Sequence, residues 1–196
     1  MTTVQAAPDV ADAVFVRRAA RGDREAFDVL VQRYHKRVYA VAYGMVHSPD
    51  QALDVTQEAF VKAFQSIRSF GGRSNFYTWL YRIVINSAID YLRRERRQGA
   101  TSYDDHLYVS EEALQRGPQA ALASPEASAR RSEVRDAISR AISRLPEDQR
   151  AAILLREVEG LSYKEIAEVM RCSKGTVMSR LHYARRKLRS MLSDES

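Results

Sequence analysis

Apolar residues recur every three or four positions along most of the chain, as they do in helices with one buried face. Capping residues and breaks divide the first half into four predicted helices, at residues 12–20, 23–47, 50–67 and 75–97. Asp23 is placed to cap the second helix, and Ser74 to cap the fourth. No segment alternates as a strand does, so the sequence predicts an all-α fold.

Helical spacing returns after residue 132, and Pro146 starts a helix that reaches Gly160. The next stretch, from Leu161 to Leu192, predicts two helices joined by a tight turn. Ser162 and Glu165 have the spacing of a capping box, and Ser173 can cap the helix after the turn. Two capped helices with this spacing are typical of a helix-turn-helix.

The last helix has an apolar stripe, and polar residues lie on its opposite side. Seven lysines or arginines and no acid lie between Arg171 and Leu192, which favours a polyanion such as DNA. The alternative is a helical hairpin with a solvated basic face. The candidate DNA-binding residues of this helix are Lys174, Thr176, Met178, Ser179, Arg180, His182, Tyr183 and Arg186.

Composition limits the classes of function. The net charge of +6 and pI near 9.6 favour nucleic acid or an anionic membrane as partner. Cys172 is the only cysteine, no histidine lies near it at the spacing of metal ligands, and the four histidines are scattered. The sequence shows no pattern of a leader peptide and no apolar run long enough to span a membrane. We therefore expect a cytoplasmic protein with no catalytic residue, metal or cofactor, which argues against a nuclease or recombinase.

Composition also predicts the domain limits. Residues 1–11 are small and polar and indicate a disordered tail. Residues 98–132 lose apolar periodicity and predict a flexible linker with a span of about 30–35 Å. Two small helical domains are expected, at residues 12–97 and 133–193.

Two polar surfaces stand out in the first domain. The third helix has an outward stripe of Asp54, Gln57, Glu58 and Val61, which is either a solvated face or a docking surface. The second surface consists of the glycine-rich loop and one side of the fourth helix, and it is a candidate DNA-binding surface. The alternatives are that Gly71-Gly72 only turns the chain, that Asn86 bonds its own backbone, and that the terminal arginines only cap the helix. Its residues are Gly71, Gly72, Arg73, Ser74, Asn75, Arg82, Asn86 and Arg93.

Five runs resemble one known family, the bacterial extracytoplasmic-function (ECF) sigma factors of sigma-E type. In region 2 they are GDREAFDVLVQRYHKRVYAVA, DVTQEAFVKAFQSIRSF and FYTWLYRIVINSAIDYLRRERR. In region 4 they are LPEDQRAAILLREVEGLSYKEIAEVM and CSKGTVMSRLHYARRKL. The resemblance covers nearly everything outside the tail and the linker.

The resemblance implies a non-enzymatic factor that binds core RNA polymerase and directs it to the promoters of a stress or envelope regulon. Region 2 is expected to bind the β′ clamp helices through the Asp54 stripe and the minus-ten element through the loop and Asn86. Region 4 is expected to bind the β flap and the minus-thirty-five element. An anti-sigma factor, in some family members at the inner membrane, is expected to restrain both.

One departure from the family lies on the last helix. The family often has basic residues at the positions of Met178 and Tyr183, and arginine is the usual reader of guanine.

Two other classes of protein are alternatives to a sigma factor. A response-regulator activator needs an α/β receiver domain, whereas a sigma mimic that titrates an anti-sigma factor would share this fold.

Overall fold

The computed structural model describes residues 9–72, 74–97 and 125–194 of the chain. Within these ranges there is no strand, and the helices are α1 (Asp9–Ala20), α2 (Arg24–Val46), α3 (Pro49–Ser66), α4 (Phe76–Arg97), α5 (Pro125–Ser143), α6 (Glu147–Ile153), α7 (Tyr163–Met170) and α8 (Lys174–Asp194). A 3₁₀ turn, Ile67–Ser69, follows α3, and a π-helical turn, Leu154–Val158, follows α6. The predicted all-α fold is confirmed.

The limits of α2 and α3 follow local chemistry. The Asp23 side chain accepts a hydrogen bond from the backbone N–H of Ala26 (3.1 Å), which confirms the predicted cap. At the other end His47 has φ 59°, a left-handed conformation that ends α2. Helix α3 begins at Pro49, one residue before the predicted start at Asp50, because proline has no N–H to satisfy at a first position.

The predicted tail and linker are only partly described. Residues 1–8 of the tail and 98–124 of the linker lie outside the described residues. Residues 125–132, which were assigned to the linker, belong instead to α5. Proline at the first position followed by Glu, Ala and Arg, which are good helix formers, explains why this polar segment is helical.

Helices α1 to α4 form the first half of the molecule and enclose an apolar core. Helices α2 and α4 pack against each other and contribute large side chains that are buried completely or almost completely. They are Leu30, Tyr34, Val38, Val41, Leu80, Tyr81 and Val84. Asp12 of α1 is also buried and accepts hydrogen bonds from Arg33 and Tyr34, which ties α1 to α2.

Helices α5 to α8 form the second half, which packs directly on the first. Helix α7 lies against α4, while α6 and its π-helical turn lie against α2. Leu154 in that turn sits on Gly44, where an added Cβ would come within 2.6 Å of the leucine Cδ2. Glycine at residue 44 therefore permits the close approach of the two halves.

Buried polar groups complete this contact. The Glu159 side chain is only 3% exposed and pairs with Arg37 Nη2 at 2.8 Å, and it also accepts a hydrogen bond from the Tyr81 hydroxyl. The Arg150 guanidinium donates to the carbonyl oxygen of Met45 at the end of α2. Side chains from the second half thus satisfy polar groups of the first.

Candidate nucleic-acid interface

One face of α8 is buried in the second half and the opposite face is open. Val177, Leu181 and Ala184 are buried, as the apolar stripe predicted. The predicted DNA-binding residues lie away from this stripe. Lys174, Met178, Ser179, His182, Tyr183 and Arg186 are exposed, and Thr176 and Arg180 are half-buried.

Side-chain caps fix the turn between α7 and α8. Ser162 Oγ accepts from the N–H of Glu165 (3.3 Å), while the Glu165 carboxylate accepts from the N–H of Ser162 (2.7 Å). Ser173 Oγ accepts from the N–H of Thr176 (3.0 Å) at the start of α8. The predicted capping box and the predicted cap are both confirmed, and they set the direction in which α8 leaves the turn.

Two hydroxyl groups on the open face are already engaged. The Thr176 hydroxyl lies 2.9 Å from Ser173 Oγ, and the Ser179 hydroxyl donates to the Thr176 carbonyl oxygen at 2.9 Å. Ser179 therefore keeps acceptor lone pairs for a ligand while its proton stays within the helix.

The cations of α8 divide into two groups. Arg180 pairs with Asp148, and Arg185 pairs with Glu157 at 2.7 Å, so these two arginines hold α8 to the rest of the second half. The guanidinium of Arg186 lies over the Tyr183 ring at 5.3 Å. Lys174, Arg186 and Arg189 have no acidic partner among the described residues, and they supply the cations that an anion could meet.

A shallow groove of about 330 Å³ runs along the same side of α8. The N-terminal residue of α7 contributes one aromatic wall. The lining residues are Tyr163, Met178, His182, Arg185, Arg186 and Arg189. A groove that places Met178 beside cationic side chains suits the major groove of a duplex, where base edges lie between phosphates.

The loop before α4 is open on the side away from the core. Gly71, Gly72 and Asn75 are exposed and Ser74 is half-buried, whereas Arg73 lies outside the described residues. Gly72 has φ 65°, and nothing lies within 4 Å of the position that its Cβ would take. The backbone conformation, and not a crowded neighbour, calls for glycine here.

Aromatic side chains hold the base of this loop. The Phe70 ring lies 5.2 Å from Trp79 and 6.1 Å from Phe76, and Trp79 is buried, which makes it a core residue as predicted. Asn75 Nδ2 donates to the Tyr77 hydroxyl at 3.2 Å. The loop therefore projects from a rigid base.

The side of α4 that follows the loop carries the other predicted residues. Arg82 is half-buried, while Asn86 and Arg93 are exposed. Arg93 lies 3.9 Å from Asp90 on the same helix. No described residue forms a hydrogen bond with the Asn86 side chain, so the alternative in which its amide bonds its own backbone is wrong.

The outward stripe of α3 is more apolar than predicted. Asp54, Gln57 and Val61 are exposed, and Val61 is 55% exposed. Leu53 and Phe64 share this face, 42% and 41% exposed, and the sequence analysis missed both. Leu53 lies four residues before Gln57, and Phe64 lies three residues after Val61. This helical spacing was the signal in the sequence that places both side chains on the face of the stripe.

Glu58 on this stripe is half-buried and paired. Its carboxylate lies 2.6 Å from Lys62 Nζ and 3.1 Å from Arg94 Nη2. Hydrogen bonds from Lys62 and then from Arg94 hold the pKa of Glu58 below its ordinary value. Glu58 therefore links α3 to the cationic end of α4.

Two further classes of site were sought in the described part of the chain. No three His, Cys, Asp or Glu side chains there come together as a metal site requires. Among the described helices, none has the length and apolar content to cross a membrane.

Known proteins match both halves. The Sigma-70 region 2 family matches residues 30–98, and the Sigma-70, region 4 family matches residues 135–188. The chain is 43% identical to the RNA polymerase sigma-H factor of Pseudomonas aeruginosa over 89% of this chain and 90% of that protein. It is 44% identical to the ECF RNA polymerase sigma-E factor of Escherichia coli, with the same two coverages.

Solved structures match across both halves together. CnrH, in complex with the cytosolic domain of CnrY, superposes with a TM-score of 0.69 and 26% identity over 95% of this chain and 99% of that one. The sigma factor RpoE of Bartonella quintana, in complex with the anti-sigma factor NepR, gives 0.64 and 26% over 85% and 96%.

Proposed function

The chain belongs to the ECF sigma factors of the sigma-70 family, and we propose which of its surfaces meet core RNA polymerase and the two promoter elements. As a sigma factor it directs RNA polymerase to promoters and catalyses no reaction of its own. The observation that carries the proposal is the capped turn that presents an exposed cationic face of α8.

The outward stripe of α3 is the proposed docking surface for the β′ clamp helices. It comprises Asp54, Gln57, Glu58 and Val61, extended by Leu53 and Phe64. Exposed apolar side chains among amides and acids are typical of a protein interface, because their burial against a partner releases water. Val61 is the proposed anchor of this surface.

The loop and the adjoining side of α4 are the proposed minus-ten surface. An unpaired base exposes its pairing edge, and the free amide of Asn86 offers both a donor and an acceptor to it. Glycine at residues 71 and 72 leaves room for a base beside the backbone. Arg73, Ser74, Asn75, Arg82 and Arg93 complete the proposed surface.

Helix α8 is the proposed reader of the minus-thirty-five element. The second half is also the proposed binding partner of the β flap of core RNA polymerase. Lys174 and Arg186 supply phosphate contacts, whereas Met178, Ser179, His182 and Tyr183 face the bases. Thr176 and Arg180 support this face from within the protein, since both are bonded to neighbours. The proposed domains are residues 9–97 and 125–194, which include the whole of α1 and of α5.

The contact between the halves supports regulation by opening. The Tyr77 hydroxyl at the base of the loop donates to Glu165, so the minus-ten loop lies beside the start of α7. Helix α7 spans only about 12 Å before the turn into α8. Promoter elements one and a half turns of duplex apart lie about 50 Å from each other, so both are reached only after the halves separate.

An anti-sigma factor is the proposed partner that keeps the halves together. The support is the likeness over both halves to a structure in which a sigma factor is in complex with an anti-sigma factor. We also propose that such a partner can retain this protein at the inner membrane. When this protein is part of the holoenzyme, it is proposed to be associated with the nucleoid.

Variants that separate the three surfaces test the proposal. Val61→Asp with Leu53→Asp should weaken core binding at least thirtyfold, since a lost interface anchor costs about 2 kcal/mol or more. Asn86→Ala should alter only minus-ten preference, and Lys174→Ala should weaken DNA binding at all sequences. The matched control is Val14→Asp, which places the same charge on an exposed apolar position of α1. Unchanged core affinity in the α3 variant would refute the docking assignment.

A further inference from the structure

Met178 is the most exposed large apolar side chain in the described part of the chain, at 57%. It is the fifth residue of α8, close to the turn that begins the helix. Its neighbours Val177 and Leu181 are 0% and 1% exposed, so the core of the second half is complete without it. An apolar group in this position gains nothing from the folded protein alone.

The surroundings of Met178 indicate what kind of ligand would cover it. It lines the groove of α8 together with Tyr163 and His182, and Arg186 and Arg189 lie further along the same groove. Arg186 and Arg189, which have no acidic partner among the described residues, thus line the same groove as the apolar Met178 side chain. A ligand that offers phosphates at its edges and a small apolar group between them matches this arrangement.

Thymine is the base that offers such a group. In the major groove it presents a C5-methyl, whereas guanine presents two acceptors and cytosine a donor. Methionine cannot donate a hydrogen bond, so it does not read guanine as arginine does. Its unbranched thioether adjusts to an uneven apolar surface, which suits contact with a methyl group.

We propose that Met178 reads a thymine in the minus-thirty-five element by packing against its C5-methyl. This inference rests on the proposed function, in which α8 enters the major groove there. At this position an apolar side chain contacts the base, where an arginine would form hydrogen bonds. The preferred promoter sequence should therefore contain thymine at the base pair where an arginine would select guanine.

The contact should also be weak and local. Burial of one methyl-sized group changes binding by about fourfold, whereas a bidentate arginine contact changes it by about fivefold to more than a hundredfold. The minus-thirty-five preference should therefore depend on one thymine methyl through Met178 and on other contacts elsewhere along α8.

Replacement of thymine by uracil tests the proposal, because uracil pairs identically and lacks only the methyl. Holoenzyme is assembled from this chain and core RNA polymerase, and a preferred minus-thirty-five sequence is selected from a randomised pool. Each thymine is then replaced by uracil in turn, and promoter binding is measured at one salt concentration. We expect one replacement to weaken binding about fourfold.

Variants of Met178 assign the effect to this side chain. In Met178→Ala the uracil penalty should vanish, in Met178→Leu most of it should remain, and in Met178→Arg selection should change from thymine to guanine at that position. Met191→Ala is the matched control, since it makes the same substitution at a half-buried methionine of α8 that lies outside the groove. It should retain the full penalty.

The possible failures are distinguishable. If holoenzyme forms but selection returns no preferred minus-thirty-five sequence, the assignment of α8 to that element is wrong and this inference falls with it. If a sequence is selected but no uracil replacement matters, or the penalty persists in Met178→Ala, the thymine contact alone is overturned.

Discussion

The interior of the first half and the contact between the halves are made of different side chains. The interior is apolar and aromatic, with Tyr34, Val38 and Leu80 buried completely. The contact combines apolar packing, such as that of Leu154 on Gly44, with buried charged and polar groups, chiefly Glu159 and Arg150. Returning apolar groups to water costs free energy, whereas polar groups regain hydrogen bonds there. We therefore expect the contact to open at a lower cost than either interior.

Glu159 is the centre of that contact. Burial of the Tyr81 hydroxyl, and then the charge of the Glu159 carboxylate, raise the pKa of Tyr81 well above its ordinary value. The Arg37 side chain that pairs with it is 45% exposed, so water screens one side of the pair. A buried carboxylate with one half-exposed partner is stable when closed and readily hydrated when open.

The largest effect is expected from Glu159→Ala. Removal of the acceptor leaves the Tyr81 hydroxyl and Arg37 without a partner in the closed form, which shifts the equilibrium towards the open form by about 2–3 kcal/mol. Energy transfer between dyes on α4 and α7 should fall, and helicity should not. The dyes are attached at Asp90→Cys and Glu168→Cys, both of them exposed.

Two further substitutions complete this experiment. Cys172→Ser removes the natural thiol so that only the introduced cysteines carry dyes. Glu157→Ala is the control, because its partner Arg185 lies in the same half. Equal energy transfer in Glu159→Ala and Glu157→Ala would show that Glu159 does not hold the halves together.

A smaller effect is expected from acid, through His47. Burial, and then the charge of Arg150, lower the pKa of His47 from 6.5 to about 3. Since the folded pKa lies below the unfolded one, the contribution is fully present above pH 6.5 and is lost as the pH falls towards 3. The unfolding free energy should drop by about 1.4 kcal/mol per pH unit, or about 2 kcal/mol at pH 5.

The variant His47→Asn isolates this contribution, because asparagine tolerates the left-handed conformation at φ 59°. Urea unfolding of wild type and variant is compared from pH 7.5 to pH 5. The difference between their unfolding free energies should change with pH by the amount given. A constant difference would mean that His47 takes up no proton on unfolding in this range.

The smallest effect is expected from Gly44→Ala. This substitution alters the packing of Leu154 on α2 and changes no charged group at the contact between the halves. Alanine favours the helix by up to about 1 kcal/mol, but its Cβ would crowd Leu154. We expect the urea midpoint to rise slightly while energy transfer between the halves falls. Gly175→Ala, where the nearest atom is 3.6 Å away, should leave energy transfer unchanged. Equal energy transfer in both variants would contradict the role of Gly44.

Local chemistry was sufficient to predict much of this molecule. The caps at Asp23, Ser162 and Ser173 were predicted because a cap is a bond between residues two or three apart. The buried stripe of α8 followed from helical spacing in the same way. The family followed from five runs whose order and length matched.

Residues with long-range roles were not predicted. Glu159 and Arg37 are 122 positions apart, and nothing near either residue in the chain signals the other. Leu53 and Phe64 were not predicted to lie on the surface, because an apolar residue on a helix is usually buried and only the folded structure shows that both are exposed.

Most helices, their caps and the buried stripe of α8 follow from the amino-acid sequence, since these features depend on neighbours within one or two turns. The packing of the second half on the first, in which Glu159 contacts α2 and α4 and Leu154 contacts Gly44, arises only in the folded chain. That packing depends on shape and on the partners of buried polar groups. Both are properties of segments brought together by folding, and helical periodicity carries no information about either.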